Sequence, residues 1–166
     1  MSNTNRSRSN LCWLVSGVCL LSMATGCGPR DGLTLVRVDG TVTTGDSQPF
    51  AGGIVRFNPR GKGKLTGGTA VTDDDGAFVI QNQVQRAGLE PGEYGVSFSL
   101  YKMPDGSPVP DQDGENEPKS PTELGAIDLV PTEYSRVLSD KNVVKVSKET
   151  SNFEFKIPAL KIPGKP

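Results

Sequence analysis

Residues 91–102 read PGEYGVSFSLYK, and they decide the fold. Tyr94, Val96, Phe98 and Leu100 alternate with Glu93, Gly95, Ser97, Ser99 and Tyr101. Strict period two with four large apolar groups on one side predicts a β-strand with one face in a core. It reads as an interior strand of a sandwich.

The same period recurs on both sides of it. In residues 33–43, Val36, Val38, Gly40 and Val42 share one face, and Arg37, Asp39 and Thr41 take the other. A turn at 45–49 leads through Phe50 to a strand over 53–58 with Val55 and Phe57 inward. Residues 60–68 (RGKGKLTGG) read as a flexible basic loop. Residues 69–80 predict two short strands around a hairpin turn at 73–76, with Phe78 and Ile80 facing the core and Gly76 free to take positive φ. Later segments at 127–134, 142–147 and 152–157 restore the pattern, with Phe153, Phe155 and Ile157 inward. Twenty glycines and 13 prolines punctuate the 166 residues, and no stretch sustains a helical period. The class is all-β, a sandwich of short strands.

One segment breaks the rhythm. Residues 103–124 hold five prolines and six acids (Asp105, Asp111, Asp113, Glu115, Glu117, Glu123) against Lys119. Such a composition cannot bury apolar area, so it reads as a long acidic insertion, either a solvated spacer or a binding loop. Residues 159–166 (ALKIPGKP) read as a loose tail.

Asp73, Asp74 and Asp75 invite a calcium reading. With Gly76 at position six of an EF-hand loop, position one is Val71 and position twelve is Asn82, and neither supplies a carboxylate. The turn reading is preferred, and the three aspartates remain weak metal candidates. No cofactor is implied.

The chain opens MSNTNRSRSN, with Arg6 and Arg8 and no acid, then runs without charge over residues 11–26, LCWLVSGVCLLSMATG. A basic start, a short apolar middle and small residues at its end predict an export signal over 1–26. Ser16, Gly17, Ser22 and Thr25 interrupt the run, which falls short of the ~20 apolar residues a membrane span needs. Ala24-Thr25-Gly26-Cys27 resembles the lipobox of bacterial lipoproteins, with Ala24 where leucine is usual. That resemblance implies cleavage before Cys27, a diacylglyceryl thioether on its sulfur and acylation of the new amine. Two or three acyl chains would hold the chain durably to a membrane. It also implies a cell-envelope location, facing the periplasm or the exterior. Gly28, not aspartate, follows the cysteine, which in some diderm lineages favours the outer membrane. Residues 27–32 then form a short tether and 33–158 the folded body.

Cys12 and Cys19 would leave with the signal, so Cys27 has no disulfide partner. Loss of Arg6 and Arg8 takes the basic count from 18 to 16 against 19 acids, a net charge of about −3. That balance gives no basis for nucleic-acid binding.

"VDGTVTTGDSQPFAGGIVRF" (38–57), "TAVTDDDGAFVI" (69–80), "PGEYGVSFSLYK" and "VPTEYSRVLSDKNVVKVSKETSNFEFKI" (130–157) together resemble carboxypeptidase regulatory-like, or transthyretin-like, domains of small bacterial lipoproteins. The resemblance implies a seven-stranded Greek-key sandwich and an accessory, binding or structural role without catalytic residues. A related branch, the collagen-adhesin B-type domains, can form a Lys–Asn cross-link from a lysine in the first strand; this strand offers Arg37.

The chain contains no histidine, so Ser-His-Asp and Cys-His mechanisms are closed to it. Its acids read as falling at turns, in the insertion or on outward strand faces, where burial is least available to tune a pKa. Two readings stand: a lipid-anchored module that binds an envelope protein, and a purely structural envelope lipoprotein. A glycan-binding role is disfavoured because, among the aromatics after residue 26, Tyr101 alone is read as outward, with Tyr134 left open, and a hydrolase is disfavoured for want of a catalytic set.

Overall fold

The computed structural model describes residues 34–61, 65–112, 117–137 and 140–161. The strands are β1 (Asp39–Thr43), β2 (Ile54–Pro59), β3 (Gly68–Val71), β4 (Ala77–Val79), β5 (Gln81–Asn82), β6 (Gly92–Ser99), β7 (Tyr101–Lys102), β8 (Ile127–Asp128), β9 (Val143–Val146) and β10 (Asn152–Lys156). One helical turn, α1 (Thr132–Ser135), lies between β8 and β9. The strands form a three-stranded sheet in the order β10-β1-β4, a five-stranded sheet in the order β5-β3-β2-β6-β9, and a ribbon of β7 and β8. The all-β sandwich stands. Its two main sheets hold eight strands where the family resemblance implied seven.

Alternation places the core. Val38 and Val42 are buried while Arg37 and Thr41 are exposed. From the small sheet, Val42, Phe78 and Phe155 face Val55, Phe57, Tyr94, Val96 and Phe98 of the large one. Phe98 and Phe155 meet edge to face at 5.3 Å, and Phe57 packs on Phe78 at 6.2 Å. β1 pairs antiparallel with β4 and parallel with β10, Val42 opposite Phe155.

Several expectations need correction. The segment 33–43 is not one strand: Val36 makes an isolated bridge to Leu89, and the continuous ladder begins at Asp39. The segment 91–102 breaks at Leu100, whose amide donates to the Asp128 carboxylate before the chain re-pairs as β7 with β8. The outer face of β6 is not open to solvent either. Ser97 is 1% exposed and Ser99 4%. The chain around α1 packs over β6, and a Cβ on Gly95 would lie 3.3 Å from the Val137 carbonyl oxygen. Small residues sit there because a later segment passes close above them.

The insertion at 103–124, read as a long acidic spacer or binding loop, springs from the β7–β8 ribbon, and its described residues carry bonds of their own. The Met103 amide donates to the Ser107 carbonyl, and Gln112 and Lys119 exchange two bonds of 2.7 and 2.6 Å. At the carboxyl end, the Ile157 amide donates to the Thr43 carbonyl and Leu160 packs against the core.

Candidate functional site: the cleft between β3 and β4

The strands on either side of the Asp73–Gly76 turn share the register of a hairpin at both ends. Gly68 and Thr69 pair with Asn82 and Gln81. At the turn the Asp73 amide donates to the Ala77 carbonyl at 2.9 Å. Between those ends the strands part. β4 leaves to pair with β1, Val79 opposite Asp39 and Phe78 opposite Gly40, while β3 stays beside β2. The expected hairpin is therefore split between the two sheets. Phe78 and Ile80 are buried, and their packing draws β4 to the small sheet.

The split leaves two edges facing a cleft. Val42 donates to the Gly76 carbonyl and Ile80 donates to the Val38 carbonyl, so these residues of the 76–80 segment turn their polar backbone toward β1. Antiparallel alternation then directs the N–H and C=O of Val79 away from β1. On β3, Thr72 exchanges bonds with Gly52 and Gly53, so the backbone groups of Val71 turn away from β2 by the same rule. No described strand pairs with either residue on that side. Their side chains stand in solvent, Val71 66% and Val79 39% exposed.

Two grooves of about 530 Å³ each meet at this valine pair. The first is bordered by Arg56, Asn58, Thr69, Gln81, Gln83 and Gln85. The second takes in Arg37, Asp39, Asp73 and Asn152. In the second, the cation has a carboxylate partner: Arg37 lies 3.5 Å from Asp39, and Asn152 Nδ2 donates to Asp39 at 2.7 Å. In the first it does not. Arg56 is half-buried, its Nη1 donates to Ser99 Oγ at 3.0 Å, and among the described residues it has no carboxylate partner.

The residues singled out from sequence fall as follows. Cys27, with Ala24, Thr25 and Gly26, lies outside the described residues. Asp73, Asp74 and Asp75 are exposed at the turn, and one oxygen of Asp73 accepts the amides of Asp75 at 3.0 Å and Ala77 at 2.8 Å. That carboxylate ties off the turn. Among the described residues no group of three His, Cys, Asp or Glu could hold a metal ion. Tyr101 is only partly exposed. The depressed carboxyl pKa values also belong to turns: Thr44 holds that of Asp46 down through a side-chain hydrogen bond, and Ser120 does the same for Glu123. Arg56 was missed in the sequence, as were Val71 and Val79; the signal available was a valine on the outward parity of each strand beside the turn. Among the described residues no helix is long and apolar enough to cross a membrane.

No protein-family model matches this chain, and no curated protein matches it. Among solved structures, the major pilin subunit of Bacillus cereus is similar at 15% identity over 77% of this chain, with a TM-score of 0.43. The match covers 30% of that pilin chain.

Proposed function

We propose that this chain is a lipid-anchored module of the bacterial cell envelope that binds a protein partner and performs no chemistry itself. The observation that carries the anchor is Ala24-Thr25-Gly26-Cys27 closing an uncharged run, with no later cysteine to pair with Cys27. On this reading residues 1–26 are the signal, 27–32 the tether and 33–158 the main part of the body, placed beside a bilayer facing the periplasm or the exterior. Lack of histidine argues for binding over catalysis. The open edges of Val71 and Val79 favour a binding role over a purely structural one.

Intact-mass analysis of detergent-extracted protein tests the anchor. The expected species begins at Cys27 and carries a diacylglyceryl thioether and an N-acyl chain; Cys27→Ser stays unprocessed. Soluble protein beginning at Met1, or with an unmodified Cys27, overturns the anchor. A stoichiometric partner in a detergent pull-down supports the binder, and abundance across the envelope without one supports the scaffold.

A further inference from the structure

We propose that the cleft between β3 and β4 accepts a short extended peptide bearing a carboxylate, which pairs its backbone with Val71 and Val79 and its charge with Arg56. This rests on the binding-module reading above and names the ligand class of that site.

An unpaired strand edge is a template for another extended chain, because every second residue presents an N–H and a C=O at ladder spacing. Here two such edges, one from each sheet, border the same cleft. Its shortness sets the ligand's length. β4 is three residues long, and β5 already covers β3 up to Thr69, so the open stretch suits a few residues and not a long strand.

The charge requirement comes from Arg56. On the outer face of the large sheet, register places Gln81, Thr69, Arg56 and Ser97 in one cross-strand row. The flanking rows contribute Ile54, Val71 and Ser99 on one side and Asn58 and Gly95 on the other. None of these is acidic. A guanidinium presents five donors in a planar fork, and the Ser99 hydroxyl occupies one of its terminal nitrogens. The rest suit a carboxylate, which accepts two parallel bonds from such a fork. Gln81, Gln83 and Gln85 on the rim add neutral amides that can donate to or accept from a peptide.

The same wall disfavours a sugar. Glycan sites commonly use exposed aromatic faces, and the ring that borders this groove, Phe57, is 1% exposed. One cation without a carboxylate partner, in a chain of net negative charge, also does not suit a polyanion such as nucleic acid.

The test uses the protein as extracted and held in detergent micelles, with uniform nitrogen-15 labelling. The probes are acetyl-Val-Thr-Glu-Val-Thr-amide and its analogue with glutamine in place of glutamate. The expected result is a set of amide shifts centred on Val71 and Val79, with Arg56 Nε moving as well. The glutamate probe should bind about fivefold or more tightly than the glutamine probe. Arg56→Gln should erase that preference, and Arg56→Lys should keep part of it because the charge remains without the fork. Equal binding of the two probes by the native chain overturns the proposal, as does binding of neither at millimolar concentration. Shifts centred on the free edges of β9 or β10 overturn the cleft while leaving the binding-module reading intact. That reading falls separately, through the pull-down.

Discussion

Phe57 and Phe155 meet edge to face across the two sheets, ring centroids 6.3 Å apart and planes at 72°. Phe57 also touches Phe78, Tyr94 and Phe153, so one ring from β2 joins strands of both sheets. Phe57→Ala should cost about 3–5 kcal/mol, a large part of the stability of a domain this size. A double-mutant cycle of Phe57→Leu with Phe155→Leu should show a coupling of about 0.5–1.5 kcal/mol in urea unfolding. Additive losses would mean that the rings share only the apolar area they bury.

At Gly40 the backbone of β10 runs close against β1. A Cβ there would stand 1.9 Å from the Phe153 carbonyl oxygen, a backbone atom that cannot swing aside. Gly40→Ala should therefore part the parallel pair and cost about 2–3 kcal/mol. Thr41→Ala, an exposed neighbour on the same strand, should stay within about 0.5 kcal/mol. Thermal unfolding of both variants decides it, and equal losses would refute the close-approach argument.

What the sequence disclosed and what it hid divide along one physical line. The inward set Tyr94, Val96 and Phe98 is legible because alternation is local. Which sheet a strand joins is not: Phe78 and Ile80 read as buried whether β4 pairs with β3 or with β1, and only packing against residues far along the chain selects β1. Ser97 and Ser99 misled for a related reason. Small polar side chains look like a solvent face, yet they equally permit a close overlying segment, here the chain around α1. Arg56 drew no notice in the sequence. Its isolation from carboxylates follows from the cross-strand register of four strands, which no single segment contains.

Asp73 closes its turn with one carboxylate oxygen shared between two amides. Asp73→Ala leaves both donors to water and should cost about 1 kcal/mol. Asp73→Asn keeps an acceptor oxygen and should recover most of that loss. A turn held by a bound cation would respond otherwise: Asn would fail as Ala does, and millimolar calcium would raise the native melting temperature. Calcium titration monitored by thermal unfolding separates the two.

Tyr94 makes the alkaline limit of the fold predictable. Its side chain is buried in the core, and its hydroxyl donates to the Glu90 carbonyl at 2.9 Å. Burial, reinforced by the Glu90 charge, pushes its pKa from 10.0 up to about 12. The tyrosinate is the disfavoured form in the folded state, so between about pH 10 and 12 the unfolded chain releases this proton while the native one holds it. The contribution of Tyr94 is complete below pH 10 and is lost as pH rises toward 12. Tyr94→Phe should lose about 1 kcal/mol at neutral pH with its hydrogen bond, yet decline less steeply above pH 10. It should also remove the tyrosinate absorbance phase near pH 12; Tyr94 is one of three tyrosines in the chain. Parallel stability curves for native and variant chains from pH 9 to about 12 would show that Tyr94 ionises equally in both states and that another group limits the fold in base.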